Sequence, residues 1–519
     1  MAIRPKVRPP VTRRRPLVAA GRSIRPSTRA AAMHPARDEK HSSRKTAPFP
    51  EPKVTPGGYH PGVGSAFSKA LRYLDTLTDF ERLRIVRYNS NNFDLERMRL
   101  LLKKLGNPHD SFKSIHVAGT KGKGSTCAMI ASMLQACGYK VGLYTSPHLV
   151  DIRERIAVNG ELISHADFAR LIRNVEPIAA KMKPMPTYFD VLTAVAFRHF
   201  ADQKIDIAVV ETGLGGRLDS TNVIKPEVTA ITNISKDHMA QLGNTLAKIA
   251  AEKAGIFKPG VPAVSALQDP EAEAVLKAAA EKVGAPFDVT GKTIEFSYRF
   301  ESSRMLGPHN RICLTTPNSK FEHLAVPLVG EHQAINCGLA LSVLDKLKTR
   351  GFNIPEAKAM EGLAKTTVPG RMEMVSSNPR VIVDGAHNAA SLDALMKAIG
   401  QHVPYDSMVV IFGCCADKDI PGMLERITSG ADKVIFTKVD NIRSANPDEL
   451  AARYVELYGK MAQVATTLDE ALGIANRAVT REDLICITGS FYLVGEAKKY
   501  FVAKQTAQAA ATAAANAKL

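Results

Sequence analysis

The chain has 519 residues, 45% hydrophobic and 23% charged, a composition that suits two or three ordinary globular domains. Its longest apolar runs, such as residues 205–210 and 408–412, are far shorter than the roughly 20 residues that cross a bilayer, so we predict no membrane span. The seven cysteines include no C-x-x-C pair, which favours a reducing compartment and argues against a structural zinc site.

The formal net charge of +18 is concentrated near the start of the chain. Residues 1–50 contain 13 Lys and Arg but only Asp38 and Glu39, which places +11 there and leaves +7 for the rest. Because the folded body is only modestly basic, a nucleic-acid partner for the whole protein is not expected.

Residues 1–60 form a basic, proline-rich tail with too few apolar residues to build a core, so we predict that it is disordered. Three uses remain open: an organelle transit peptide, a weak contact with nucleic acid, or none, if translation starts later, for example at Met33. We expect a cytoplasmic protein, with organelle targeting as the alternative. At the other end, residues 505–519 are rich in alanine and are predicted to extend the last helix or to fray.

The segment SIHVAGTKGKGST, residues 114–126, predicts a phosphate-binding turn between a strand and a helix. Three glycines allow the backbone to approach an anion closely: Gly119, Gly122 and Gly124. Lys123 adds an ammonium for the outer phosphates, and the Ser125 hydroxyl is suited to Mg²⁺. The spacing differs from the usual G-x-x-x-x-G-K-[ST] pattern, so a tight connection without a ligand remains the alternative.

Short apolar strands alternate with helices of 10 to 15 residues, which predicts an α/β protein. We expect a P-loop-type, mostly parallel sheet domain at residues 61–367, followed by a smaller Rossmann-like α/β domain at residues 368–504. Strands of the first domain are predicted at 141–145, 207–211, 228–233 and 262–266. Strands of the second are predicted at 381–384, 409–412, 434–437 and 484–488, with helices at 389–401, 447–458, 468–478 and 491–503. Ligands of such sheets bind at the carboxyl ends of the strands and in the cleft between the units.

Three further residues are candidates for chemistry. Glu211 ends a predicted strand before a glycine-rich segment, where a carboxylate could reach the metal held by Ser125; a solvated loop residue is the alternative. His238 lies in a predicted loop. Lys253 lies on an apolar helix face, where burial would lower the pKa of its ammonium, although a lysine that reaches solvent would give the same pattern.

Several long strings resemble folylpolyglutamate synthases, including bifunctional dihydrofolate synthases, in the Mur ligase superfamily. The resemblance covers roughly residues 66–503, and one departure is Lys121, where many relatives have Asn. The strings that carry it are ALRYLDTLTDFER, FDLERMRLLLKKLGNPHDSF, TSPHLVDIRERIAVNGELIS, TYFDVLTAVAF, ETGLGGRLDSTN, GEHQAINCGLAL, PGRMEMV, DGAHN and ITGSFYLVGE.

The resemblance implies two Mg²⁺ sites and a carbamylated lysine. Ser125 and Glu211 would hold one Mg²⁺, Ser146 and His238 would hold the second, and Lys253 would carry CO₂ as an anionic metal ligand. The amine can take CO₂ only when its pKa falls far below its ordinary value near 10.4.

The resemblance also assigns residues to ATP and glutamate. Lys123 would contact the transferring phosphate, and His387 and Asn388 would line the cleft near the incoming glutamate. The ATP phosphates would be held by Gly119, Thr120, Lys121, Gly122, Lys123, Gly124 and Ser125. The rest of the nucleotide would contact Asn336, Arg371 and Asp384.

The implied reaction is ATP-driven joining of L-glutamate to the γ-carboxylate of a folate through an acyl phosphate. Lys123, Lys253 and His238 are the residues that it implies for catalysis, and we expect a monomer. Whether dihydropteroate is also an acceptor stays open. The alternatives are another amide ligase of the superfamily, or a P-loop NTPase whose basic tail binds nucleic acid.

Overall fold

Parallel strands and helices alternate along most of the chain, as the sequence predicts. The computed structural model describes residues 65–81 and 92–516, so the predicted tail at residues 1–60 lies outside the described residues. The described residues belong to one compact unit with an α/β fold. Within them, no helix is both long and apolar enough to cross a bilayer.

An eight-stranded sheet forms the first part of the fold. Its strands are β1 Lys113–Ala118, β2 Val141–Tyr144, β3 Ile156–Val158, β4 Glu161–Leu162, β5 Ile207–Glu211, β6 Val228–Ile231, β7 Ala263–Ser265 and β8 Phe287–Val289. Their order is β4-β3-β2-β5-β1-β6-β7-β8. The edge strands β3 and β4 are antiparallel, and the remaining pairs are parallel.

Two further sheets follow. A three-stranded antiparallel sheet, which the alternating pattern does not predict, consists of β9 Glu295–Ser303, β10 Gly307–Thr315 and β11 Lys320–Ala325. A six-stranded sheet consists of β12 Glu373–Ser377, β13 Arg380–Val383, β14 Met408–Phe412, β15 Lys433–Thr437, β16 Gln463–Ala465 and β17 Leu484–Thr488. Its order is β12-β13-β17-β14-β15-β16, and only β12 is antiparallel to its neighbour.

Helices cover both faces of the two parallel sheets. The first ten are α1 Ser65–Asp75, α2 Leu95–Lys104, α3 Lys123–Ala136, α4 His165–Ala179, α5 Tyr188–Asp202, α6 Met239–Leu242, α7 Leu246–Ala254, α8 Pro270–Val283, α9 Glu331–Thr349 and α10 Glu356–Ala364. The rest are α11 Ala389–His402, α12 Ile420–Thr428, α13 Pro447–Tyr458, α14 Leu468–Ala478 and α15 Phe491–Asn516. Helix α12 was not predicted. Helix α15 runs to Asn516, so residues 505–516 extend the last helix, which is one of the two outcomes predicted for this segment.

Separate apolar cores lie on the two faces of the first sheet. Helices α3, α9 and α10 and the antiparallel sheet pack on one face, and α1, α2, α4 and α5 pack on the other. The central order β5-β1-β6 is parallel, so the loops that follow these three strands meet at one edge. The second sheet also carries a core on each face.

Contacts between the two parts position the second sheet beside the first. Gly495 lies where α15 contacts the loop after β2. A Cβ atom at this position would lie 2.1 Å from the carbonyl oxygen of Leu149. Gly370 meets the same leucine side chain at a positive φ of 67°. Glycine at both positions therefore permits this close approach.

Asp190 connects several elements of the first core through a buried carboxylate. It accepts hydrogen bonds from Arg97 Nε at 2.7 Å, from the Thr187 amide at 2.9 Å and from Ser220 Oγ at 2.6 Å. The Arg97 and Asp190 side chains are 5% and 1% exposed. Removing the carboxylate would leave a guanidinium buried without its ionic partner.

We therefore expect Asp190→Ala to lower the free energy of unfolding by about 3–5 kcal/mol, the usual effect of breaking a buried ion pair. Urea unfolding followed by circular dichroism measures this change. Glu361→Ala removes one partner of the exposed Lys358–Glu361 pair and should change the free energy by less than about 0.5 kcal/mol. Equal effects of the two substitutions would contradict the prediction.

Candidate active site

The phosphate loop, residues 119–122, connects β1 to α3 and contains two glycines with positive φ. Gly119 has a φ of 151°, and Gly122, which caps α3, has a φ of 87°. A Cβ atom at Gly119 would lie 1.7 Å from Thr232 Oγ1, and one at Gly122 would lie 2.2 Å from Asn336 Oδ1. Both positions therefore require glycine. The free N–H groups at the start of the 14-residue helix α3 suit an anion.

Hydrogen bonds hold the phosphate loop against the segment that follows β6. The Thr120 amide donates to the Asn233 carbonyl at 2.8 Å, and Thr120 Oγ1 donates to the Ser235 carbonyl at 3.1 Å. The Ser235 amide returns a bond of 3.1 Å to Thr120 Oγ1. These hydrogen bonds fix the backbone of the loop at Thr120.

Glu211 and Ser125, the residues predicted to hold the first Mg²⁺, lie at the end of β5 and in the first turn of α3. Glu211 ends β5 beside β1 and is buried. Its carboxylate accepts from the Ser146 amide at 3.2 Å and lies 3.8 Å from Lys123 Nζ. Burial raises the pKa of Glu211, and the Lys123 ammonium opposes that shift. Ser125 is buried in the same first turn of α3.

Lys253 lies beneath the phosphate loop. Its side chain is 3% exposed, and its Nζ donates to the Gly119 carbonyl at 2.7 Å. Burial lowers the pKa of Lys253 well below its ordinary value, and the neighbouring Lys123 and Lys121 lower it further. The sequence left open whether this lysine reaches solvent, and the structure places it in the interior.

His238, predicted for the second metal site, lies next to Asp237 in the segment after β6. It has a positive φ of 50°, its side chain is exposed, and its amide donates to Asp237 Oδ1 at 2.9 Å. In the described ranges, no hydrogen bond joins its ring to Ser146 or Lys253, and no three His, Cys, Asp or Glu side chains gather as metal ligands.

In the second sheet, the predicted residues lie around the carboxyl end of β13. Asp384 is buried and accepts from the amides of Met372 at 3.0 Å and Ala386 at 2.8 Å. Burial raises the pKa of Asp384, and Arg371 opposes that shift. The Arg371 guanidinium lies 4.7 Å from the ring centroid of Phe491.

His387 also contacts Phe491. Its ring centroid lies 5.3 Å from that of Phe491. Burial, and then the charge of Lys121, lowers the pKa of His387 to about 4, so the imidazole is neutral at physiological pH. Phe491 therefore positions a predicted nucleotide residue and a predicted glutamate residue together.

Polar side chains join the carboxyl ends of the two sheets, and we call this group the junction. Lys121 Nζ lies 2.7 Å from Asp237 Oδ2 and 2.7 Å from His387 Nε2. Asn388 Nδ2 donates to Asp237 Oδ2 at 3.4 Å, and Lys418 Nζ lies 3.7 Å from Asp237 Oδ1. The predicted residues Lys121, His387 and Asn388 are thus brought together.

Sequence reasoning missed Asp237, Lys418 and Phe491. Lys418 and Phe491 follow the ends of β14 and β17, so their strand-end positions were a usable signal. Asp237 directly precedes the predicted His238. The predicted Asn336 is found at the phosphate loop, where it is buried against Gly122 and donates to Gln333 Oε1 at 3.1 Å.

Comparison with known proteins identifies the class of this site. Residues 117–344 match the Mur ligase middle domain, and residues 370–491 match the Mur ligase glutamate ligase domain. A dihydrofolate synthase/folylpolyglutamate synthase of Bacillus subtilis is 35% identical over 411 residues, which cover 78% of this chain and 94% of the relative. The chain belongs to the folylpolyglutamate and dihydrofolate synthase family.

Solved structures of the family agree with this assignment. A folylpolyglutamate synthase of Mycobacterium tuberculosis complexed with ADP has a TM-score of 0.75 and 33% identity, over 84% of this chain and 98% of the relative. Escherichia coli FolC in complex with DHPP and ADP has a TM-score of 0.72 and 30% identity, over 86% of this chain and 100% of the relative. The predicted family, Mur-ligase α/β fold and ATP-dependent ligase class are therefore confirmed.

The glycine at 119 provides a test of the phosphate loop in this synthase. We expect Gly119→Ala to weaken ADP binding by about tenfold or more, because the Cβ would displace the loop from Thr232 and disturb the anion site. Isothermal titration calorimetry with ADP and Mg²⁺ measures the affinity.

The matched control is Gly138→Ala. Gly138 also has a positive φ, of 95°, but a Cβ there meets no atom within 4 Å. This substitution should cost about 1 kcal/mol of stability and leave ADP affinity unchanged. An ADP affinity that is the same in both variants would refute the assignment of the loop.

Proposed function

We propose that the protein joins L-glutamate to the γ-carboxylate of tetrahydrofolate and related folates at the expense of ATP. The observation that carries this proposal is the junction, because Lys121 of the phosphate loop contacts His387 beside the predicted glutamate cleft. A folate carboxylate activated at the phosphate loop of the first sheet would thus lie next to a glutamate amine bound at the second sheet.

The proposed reaction has two steps. The γ-carboxylate attacks the terminal phosphorus of ATP, which yields an acyl phosphate and ADP. The amine of glutamate then adds to the acyl carbon, and the tetrahedral intermediate expels phosphate and loses a proton to give the amide. The protein contributes placement and charge neutralisation, in particular through Lys123 near the transferring phosphate.

The residues around the phosphate loop suit Mg²⁺. The buried Glu211 carboxylate accepts from the Ser146 amide and lies 3.8 Å from the Lys123 ammonium. A carboxylate has about four lone-pair sites, so it can also bind a cation. We assign Ser125 and Glu211 to one Mg²⁺, and Ser146, His238 and the carbamate of Lys253 to a second. Bound Mg²⁺ would neutralise the charge that builds up between the acid and the triphosphate.

We assign the remaining residues by their place in the cleft. His387 and Asn388 face the first sheet and are proposed to line the glutamate site. The nucleotide is proposed to contact Asn336, which touches the phosphate loop, and Arg371 and Asp384, which lie next to each other in the second part.

The acceptor range is the open part of this proposal. Relatives include both a bifunctional synthase and a FolC structure that holds DHPP and ADP, so dihydropteroate is the second acceptor to examine. A monomer and a cytoplasmic location stay predictions, and no membrane or nucleic-acid partner is expected.

Incorporation of labelled glutamate tests the activity directly. Protein with ATP, Mg²⁺, labelled glutamate and either tetrahydrofolate or dihydropteroate should yield a product one glutamyl unit heavier, identified by mass spectrometry. Phosphate release that depends on both acceptor and glutamate supports a ligase. Release stimulated by nucleic acid and dependent on residues 1–60 would instead support the NTPase alternative, and no incorporation would exclude the folate activity.

The proposed metal-ligand role of Lys253 can be tested by substitution. Lys253→Ala should lower the ligation rate by about a hundredfold or more, because it removes a metal ligand near the reacting phosphate. Short carboxylic acids should restore part of the rate by replacing the carbamate. Lys248→Ala, on the exposed face of the same helix, should leave the rate unchanged. Near-normal turnover of Lys253→Ala would exclude the metal-ligand role.

We also propose that residues 1–60 are dispensable and that the two catalytic domains divide near residue 367. Deletion of residues 1–58 should leave the thermal transition and the ligation rate unchanged, because none of the predicted site residues lies there. An insoluble or inactive product would place the start of the first domain earlier.

A further inference from the structure

Lys121 differs from its neighbours in the phosphate loop because its side chain contacts the second sheet. Its backbone amide donates to the Asn233 carbonyl at 3.4 Å, which fixes its main chain next to the segment after β6. Its ammonium contacts Asp237 and His387, each at 2.7 Å. One residue of the loop thus touches both parts of the protein.

The hydrogen bonds of His387 define which of its ring nitrogens accepts from Lys121. Its Nδ1 lies 2.8 Å from the Gly385 carbonyl, so Nδ1 carries the proton. Its Nε2 therefore has a free lone pair, and the Lys121 ammonium donates to it. This arrangement fixes the ring orientation as well as its tautomer.

Asp237 is the negatively charged member of the junction. Its carboxylate is nearly buried and lies between the ammonium groups of Lys121 and Lys418, and it also accepts from Asn388. These two ammonium groups and one carboxylate together carry a net positive charge. Loss of Lys121 would remove the link to His387 and would take from Asp237, the partner of Asn388, its nearest ammonium.

We propose that Lys121 is a positioning residue that couples the phosphate loop to the loop of His387 and Asn388. It thereby sets the distance between the acyl phosphate and the glutamate amine. This inference rests on the proposed function, and it differs from the prediction that Lys121 only holds phosphate. An ammonium has three N–H donors, and two are used at the junction.

Lys121→Met tests the coupling because it keeps most of the unbranched side chain and removes the charged ammonium. We expect the KM for glutamate to rise about tenfold, and the dissociation constant for ADP to change less than about twofold. More phosphate should be released per amide formed, because a misplaced amine leaves the acyl phosphate to water. Lys121→Arg should restore part of the glutamate KM. A tenfold loss of ADP affinity with an unchanged glutamate KM would overturn the proposal.

Two further variants test the same contact, one at Asp237, the second partner of Lys121, and one at an exposed control residue. Asp237→Asn should raise the glutamate KM in the same way, and the double variant should be no worse than the more affected single variant. Lys236→Met alters an exposed lysine in the adjacent position and should leave both constants unchanged. Additive effects of Lys121→Met and Asp237→Asn would contradict a shared contact.

A measurement without substrates separates this inference from the proposed function. Hydrogen exchange of the amides in residues 385–391 should be faster in Lys121→Met than in the parent protein. Unchanged exchange would overturn the coupling even if folate ligation is confirmed. Faster exchange in a protein that fails to incorporate glutamate would support the coupling and reject only the proposed function.

Discussion

The close confinement of the phosphate loop is the constraint on which the rest of the site depends. Its backbone lies between Thr232 after β6 and Asn336 of α9, so close that Gly119 and Gly122 cannot carry a Cβ. Thr232 directly follows β6 and Asn336 lies within α9, so packing of these elements holds the loop in place. Such preorganisation places N–H groups where phosphate charge must be neutralised.

The pKa values of the ionisable residues around this loop depend on burial as much as on ion pairing. Lys253 is buried under Gly119, and its pKa is lowered, whereas the pKa of the buried Glu211 is raised. Both shifts favour the neutral forms and reflect a poorly hydrated pocket. The same dry environment strengthens any interaction with an anionic substrate or a cation that enters it.

The sequence predicted the strands and helices of the parallel sheets well because their signals are local. Strands 207–211 and 484–488 match their predicted bounds, since the apolar runs 207–210 and 484–487 are each followed directly by polar residues. The antiparallel sheet was missed because β9 is largely exposed and lacks an apolar run. Helix α12 is short and begins at Ile420–Pro421, which gave a weak helical pattern.

The site was predictable where it depends on short motifs and unpredictable where distant segments meet. Gly119, Gly122 and Glu211 lie where strand-end reasoning put them, whereas the local pattern left the burial of Lys253 open. The contact of Lys121 with His387 spans 266 positions, and nothing in either local sequence encodes it. Phe491 was likewise hidden, because an aromatic residue at a helix start more often belongs to a core.

The order of strands in the second sheet has a consequence for biosynthesis. The last strand in the sequence, β17, lies between β13 and β14, and the following helix brings Phe491 and Gly495 to the cleft. While the ribosome is still translating, β13 and β14 each lack this partner and expose an unpaired edge. A nascent chain therefore completes the sheet only after residue 488 has emerged, and this interval is when molecular chaperones would be most needed.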